Sequence, residues 1–135
     1  MSKFSHRSEE KEIMDDLECN GWEVAQTLKE LRTINRLLGG NNVTSSGLKI
    51  LIENQQAQSL TIADLGCGGG DMAVHIKKWA VKNGLDLHVI GIDANPNIIH
   101  LAKEKVKKEN ISIEFKEGNV FDSEYIKEPV DIQTC

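Results

Sequence analysis

The chain has 135 residues, 39% of them hydrophobic and 27% charged, with a net charge of −5. That is the make-up of one globular domain with a modest core. Aromatic residues are only 4%, so the core must be mainly Ile, Leu and Val. The charge divides as −2 over residues 1–58 (7 basic, 9 acidic) and −3 over 59–135 (9 basic, 12 acidic). Neither half is a basic arm, which argues against nucleic acid as a partner. No apolar run reaches membrane-spanning length and the N-terminus is polar, so the reading is a cytoplasmic protein with no membrane partner. Cys19, Cys67 and Cys135 are odd in number and far apart, with no Cys-x-x-Cys. Neither a metal site nor a disulfide framework is expected.

Residues 1–12 are polar and read as frayed or loosely packed. Ile13, Met14 and Leu17 form a short apolar patch. Asn20 is the expected N-cap of a first helix, with Glu23 reaching back to it. Val24, Leu28, Leu31, Ile34 and Leu38 recur at three- and four-residue steps as one apolar stripe, and Gly39-Gly40 ends the helix. Asn41 to Ser46 reads as a polar turn, with Thr44 or Ser45 capping a second helix whose Leu48, Leu51 and Ile52 point inward. Gln55 to Gln58 is a polar exit. Residues 1–58 are thus expected to form a helical cap, and residues 59–135 the ligand-binding portion.

From residue 59 the rhythm becomes strand, helix, strand, helix. The first strand is expected over 60–65 and the next helix over 71–82, with Met72, Ile76 and Trp79 or Ala80 inward and Gly84 stopping it. The second strand spans 87–93. Asn95-Pro96 starts another helix, with Ile98, Ile99, Ala102 and Val106 buried and Lys103, Lys105, Lys107 and Lys108 on a solvated face. The third strand is expected over 111–115 and the fourth over 130–135. Alternating strands and helices with short loops demand parallel strands joined by crossovers. The fold class is therefore α/β, a Rossmann-like doubly wound parallel sheet, incomplete, with an N-terminal helical cap.

The stretch from Thr61 to Asp71 organises the rest. An apolar strand enters it, Gly66, Gly68 and Gly70 turn it, and a helix leaves it, which is the shape of a nucleotide site. Asp64 and Asp71 flank the glycines. Two carboxylates there would repel a diphosphate and suit a ligand carrying an ammonium and a sulfonium. A second apolar strand ends in Asp93, 23 residues after Gly70, where an acid can accept both ribose hydroxyls. Taken alone, that spacing also fits a dinucleotide-binding dehydrogenase. The carboxylates around the glycines argue against it.

Asp-x-Gly-x-Gly-x-Gly, at Asp64, Gly66, Gly68 and Gly70, closely resembles the first motif of class I S-adenosylmethionine (SAM)-dependent methyltransferases. Glu12 to Leu17 and Leu28 to Gly40 also resemble the N-terminal segment of some bacterial small-molecule methyltransferases. The resemblance implies SAM as the cofactor and a small-molecule acceptor. Its methionine end would be held by Asp64, Gly66, Cys67, Gly68 and Gly70, and its ribose by Asp93 with Ala94 beside it. Gly118 to Asp122 would make the third wall. There Asn119 stands where the family commonly has an acid, and its side-chain oxygen can still accept from the adenine amino group. Val120 belongs to the same cofactor-binding set, and Phe121 packs either near adenine or in the ordinary core. Cys67 reads as a small pocket-lining residue rather than a reactive thiol.

No general base is legible. His75 and His100 lie on helical stretches as surface or packing residues, and His6 lies in a polar tail. The family's full fold has seven strands, so the chain reads as a shortened form that makes most of the SAM pocket and pairs with a second copy through strand four or by swapping. The alternative is a SAM- or nucleoside-binding module of the same fold without catalysis.

Overall fold

A computed structural model describes residues 21–55, 59–120, 122 and 129–135. The expectations for residues 1–20, for Gln56 to Gln58 and for Phe121 lie outside the described residues.

Two helices come first, α1 (Trp22–Leu37) and α2 (Gly40–Glu53). The helix-capping position of α1 is Gly21; the capping role expected of Asn20 lies outside the described residues. Thr27 and Thr33 send their hydroxyl protons back to the carbonyls of Glu23 and Lys29, both at 2.9 Å. Gly39, at φ 76, makes the turn between the helices. Asn41 to Ser46 is helical rather than a turn. Thr44 and Ser45 satisfy their hydroxyls on the Gly40 and Asn41 carbonyls one turn back, which lets them sit inside a helix instead of capping one. The stripe on α1 is covered only at its start. Val24 is buried, while Leu31, Ile34 and Leu38 are exposed among the described residues. On α2, Leu48 is buried, Ile52 is partly covered and Leu51 is exposed.

The sheet body follows as β1 (Ser59–Leu65), α3 (Asp71–Lys82), β2 (Asp86–Asp93), α4 (Pro96–Glu109), β3 (Glu114–Glu117) and β4 (Ile132–Thr134). All described pairings are parallel, in the order β3-β2-β1-β4. Parallel strands covered on both faces read as near-continuous apolar runs, and β1 and β2 do. Alternation sends Leu60, Ile62, Leu87 and Val89 to one face. There they join Ile76 and Ala80 of α3, Ala102 and Val106 of α4 and Leu48 of α2 in one core. Ala63, Ile90 and Ile92 turn to the other face with Leu65 and Val130.

Asn95 caps α4 as its sequence demands, accepting from the Asn97 and Ile98 amides at 2.9 and 3.3 Å, with Pro96 at the first helical position. The other end of α4 displaces β3 from the expected 111–115. Asn110 takes a left-handed conformation and the Ile111 N–H closes onto the Val106 carbonyl at 2.9 Å. Residues 111–113 are consumed in leaving the helix, so pairing starts at Glu114. Ile111 and Ile113 still pack on the core from that segment. No helix among the described residues is long and apolar enough to cross a membrane.

β1 lies between β2 and β4, so the chain goes to one side of it after α3 and returns to the other at the end. That is the reversal point at which open parallel sheets place a ligand crevice, beyond the strands' carboxyl ends.

Candidate functional site

The loop between β1 and α3 is strapped to the end of β2. The Cys67 N–H donates to the Ile92 carbonyl at 2.9 Å, and the Gly68 N–H to Asp93 Oδ2 at 3.0 Å. Asp93 Oδ1 accepts from the Asn95 N–H at 3.0 Å, so one carboxylate ties the glycine loop to the start of α4. Each of its oxygens keeps a second lone pair for a further donor. Gly70, at φ 75, is buried, and a Cβ there would stand 2.6 Å from the Phe115 ring. Its place is beneath the loop, packed on that ring.

Above the loop lies α1. Leu28 is the nearest neighbour of both Gly68 and Gly69, at 3.5 Å from where their Cβ atoms would stand. Between α1, the loop and α3 is a cleft of about 410 Å³. Asp64, Gly66, Cys67 and Gly68 line it. Asp93, Ala94, Asn119 and Val120 do not. They stand at and beyond the end of β2 and past the end of β3, where the Gly118 N–H bonds the Asp93 carbonyl at 3.0 Å. Apart from Gly70, which lies beneath the loop, the structure therefore divides the expected residues into a set inside the cleft and a set beside it, joined by the Asp93–Gly68 bond.

The electrostatics single out Asp64. It is only 3% exposed, and its Oδ1 accepts from Thr134 Oγ1 of β4 at 2.8 Å. Its Oδ2 is buried with no hydrogen-bond partner among the described residues. Burial pushes its carboxyl above the usual aspartate range, against the smaller pull of the Thr134 bond. Asp71, read from the sequence as a second acid waiting for a cationic ligand, is already compensated. Arg32 of α1 pairs with it at 3.1 Å and Lys105 of α4 bonds the same oxygen. Lys105 thereby leaves the solvated face expected of the α4 lysines. Burial raises the Cys67 thiol far above its ordinary range, with Asp64 and Asp93 adding to the effect. A thiol so held is an inert wall, not a nucleophile.

Much of the far wall escaped the sequence reading. Arg32, Asn35 and Arg36 from α1, Asn41 from α2 and His75 and Lys78 from α3 all line the cleft. The signal was present, because Arg32, Asn35 and Arg36 are spaced at three and four residues beside Leu28 and Leu31 and so share a helix face. Only the packing shows that this face closes over the loop. His75 Nε2 lies 2.6 Å from Ser45 Oγ, and Ser45 Oγ reaches the Asn41 carbonyl at 2.9 Å. A hydroxyl has one proton. With it given to Asn41, Ser45 accepts from the His75 Nε2–H, and α2 is pinned to α3 at the rim.

Residues 62–135 match a methyltransferase domain. The ribosomal protein L11 methyltransferase of Hydrogenovibrio crunogenus is 31% identical over 93 residues, covering 69% of this chain and 29% of that protein. The demethylmenaquinone methyltransferase of Lactococcus lactis is 36% identical over 76 residues, covering 56% of this chain and 29% of that protein. The chain thus spans less than a third of the length of these relatives. A SAM-dependent methyltransferase from Clostridium acetobutylicum shares the fold at a TM-score of 0.60 and 15% identity, over 81% of this chain and 43% of that one. With the domain match running from β1 to the last residue, the chain belongs to the class I SAM-dependent methyltransferase family.

Proposed function

We propose that this chain is the cofactor-binding part of a SAM-dependent methyltransferase acting on a small molecule, with SAM lying across the carboxyl ends of β1 and β2. The observation that carries the reading is Oδ2 of Asp64, buried at the cleft beside the glycine loop with no hydrogen-bond partner among the described residues. A buried carboxylate oxygen without a partner is costly, and an ammonium group supplies the missing donor and the opposite charge. The methionine end of SAM carries such a group. SAM supplies a methyl carbon already activated by its sulfonium, so the protein's contribution is position and orientation.

In this reading Asp64 takes the ammonium, and Gly66, Cys67 and Gly68 let the cofactor approach the backbone. Gly70 keeps the loop seated on Phe115. Asp93 accepts from the ribose hydroxyls with its spare lone pairs while anchoring the loop. Ala94 flanks the ribose. Asn119 accepts from the adenine amino group, and the exposed Val120 gives adenine an apolar wall. Residues 1–58 act as a cap whose α1 closes the methionine end from water. A cleft of about 410 Å³ is of a size that suits a small ligand, which supports a small acceptor. The relatives named for a ribosomal protein leave a protein acceptor as the rival. Free Cys67 and Cys135 thiols suit a reducing cytoplasm. Self-association through the outer edge of β4, a strand of three residues, belongs to the same proposal, and a strictly monomeric chain in light scattering at high concentration would count against it.

Calorimetric titration with S-adenosylhomocysteine tests the cofactor reading, with circular dichroism confirming that each variant is folded. Asp93→Ala and Asp64→Asn should each weaken binding about tenfold or more, the scale of hydrogen bonds to a charged group. The pH dependence has a definite sign. Asp64 holds an ammonium only when ionised, and its folded pKa lies above the ordinary 3.8. Affinity is therefore full above that raised value and is lost as pH falls through it, earlier than an exposed aspartate would allow. A folded chain that does not bind, or binds indifferently to both substitutions, overturns the reading.

A further inference from the structure

The cleft has two chemically different ends. At the loop end stands Asp64, whose Oδ2 has no hydrogen-bond partner among the described residues. Along α1 and at the rim stand cations and amides, and most of the cations are already spent. Arg32 is paired with Asp71 at 3.1 Å, and Lys78 with Glu109 at 2.8 Å. Arg36 lines the same cleft and pairs with no carboxylate among the described residues. Asn35 and Asn41 line the same cleft, and their side-chain amides also make no hydrogen bond among the described residues. A planar guanidinium with two neighbouring amides offers a fork of donors matched to a carboxylate.

The position of Arg36 argues for what that carboxylate belongs to. Leu28 sits on Gly68 and Gly69. Arg36 follows it by eight residues on one helix, a rise of about 12 Å. The cofactor's own carboxylate is bonded to the carbon that bears its ammonium, so it must stay beside Asp64, near the loop and the start of α3. Resting on the cofactor reading above, we propose that Arg36, with Asn35 and Asn41, receives an anionic group, a carboxylate, carried by the methyl acceptor. The acid end then orients the cationic cofactor and the arginine end orients the acceptor, so that a different atom of the acceptor faces the methyl group. Alignment of this kind is the main catalytic service a methyltransferase renders.

The experiment is an NMR titration of the 135-residue chain with benzoate and with benzamide, its uncharged counterpart. It is run with and without saturating S-adenosylhomocysteine, on the parent chain, Arg36→Gln and Arg36→Lys. Benzoate should shift the amides of Asn35, Asn41 and His75 and bind about tenfold tighter than benzamide, the scale of one charge-assisted pair. Arg36→Gln should reduce benzoate to the level of benzamide, and Arg36→Lys should retain part of the preference. Equal binding of the two probes to the parent chain overturns the proposal, as does benzoate binding indifferent to Arg36→Gln. So does a third result, in which Arg36→Gln weakens S-adenosylhomocysteine but not its methyl ester. That would assign the arginine to the cofactor's carboxylate. The titration without cofactor keeps the two readings separable. A chain that fails to take S-adenosylhomocysteine counts against the cofactor reading, while the dependence of benzoate on Arg36 still reads the subsite.

Discussion

The helices α1 and α2 bury one large apolar side chain each, Val24 and Leu48. The strands β1 and β2 bury most of theirs, on both faces. The two regions meet at the cleft and contribute differently to it. The sheet body supplies the glycine loop and one buried acid, Asp64, whose positions are fixed by packing. The cap supplies long polar side chains, with Leu31, Ile34, Leu37 and Leu38 exposed on the same helix or at its end. A region with few buried apolar contacts opens at lower free energy than a core strand. On the proposed function, cofactor geometry rests on the stable part and acceptor recognition on the adaptable part.

Substitutions can break or sharpen that contrast. The largest loss is expected at Gly70→Ala, where the new methyl group meets the Phe115 ring at 2.6 Å in a backbone at φ 75. Overpacking and strain together should cost about 3 kcal/mol or more in urea unfolding. A loss near zero would mean that Phe115 can swing away and that the loop is less fixed than its packing indicates. Ile62→Ala, at a fully buried position of β1, should cost about 3 kcal/mol. Val24→Ala, also fully buried but on α1, should cost about 1–2 kcal/mol. If both lower global stability to those extents with one cooperative transition, cap and body unfold together. If Val24→Ala instead produces a separate early transition in helical signal, the cap is its own unit.

The ion pair from α1 should matter less. The side chain of Arg32 is 51% exposed and that of Asp71 29%, so Arg32→Ala should cost under about 1 kcal/mol, less in high salt. A larger, salt-insensitive loss would show that the Arg32–Asp71–Lys105 cluster holds the cap closed. Leu38→Ser, at 79% exposure, should change stability by no more than about 0.5 kcal/mol. A marked loss there would place a covering surface over the stripe.

Local chemistry was largely legible. Asn95 as the cap of α4 and Pro96 after it both stand where the chain pattern put them, because a cap is separated from the amides it serves by only two or three residues. The glycine loop and the acids at the ends of β1 and β2 were legible for the same reason, since strand, turn and helix follow one another directly. The apolar stripe of α1 misled. Periodicity states that a face is apolar and not that anything covers it, and beyond Val24 little does.

By itself, then, the sequence determined the order of elements, the parallel α/β class, the glycine turn and Asp64 and Asp93 as its acids. Each of these depends on residues close together in the chain. The tertiary structure alone decided which charges are free. Asp71 is compensated by Arg32 and Lys105, residues 39 positions before and 34 after it. Among the described residues Asp64 keeps an oxygen without a partner, because β4, 70 positions away, returns beside β1 with a threonine that reaches only the other one. Whether a charge is satisfied depends on what folding brings to it through space, and spacing along the chain carries no record of that.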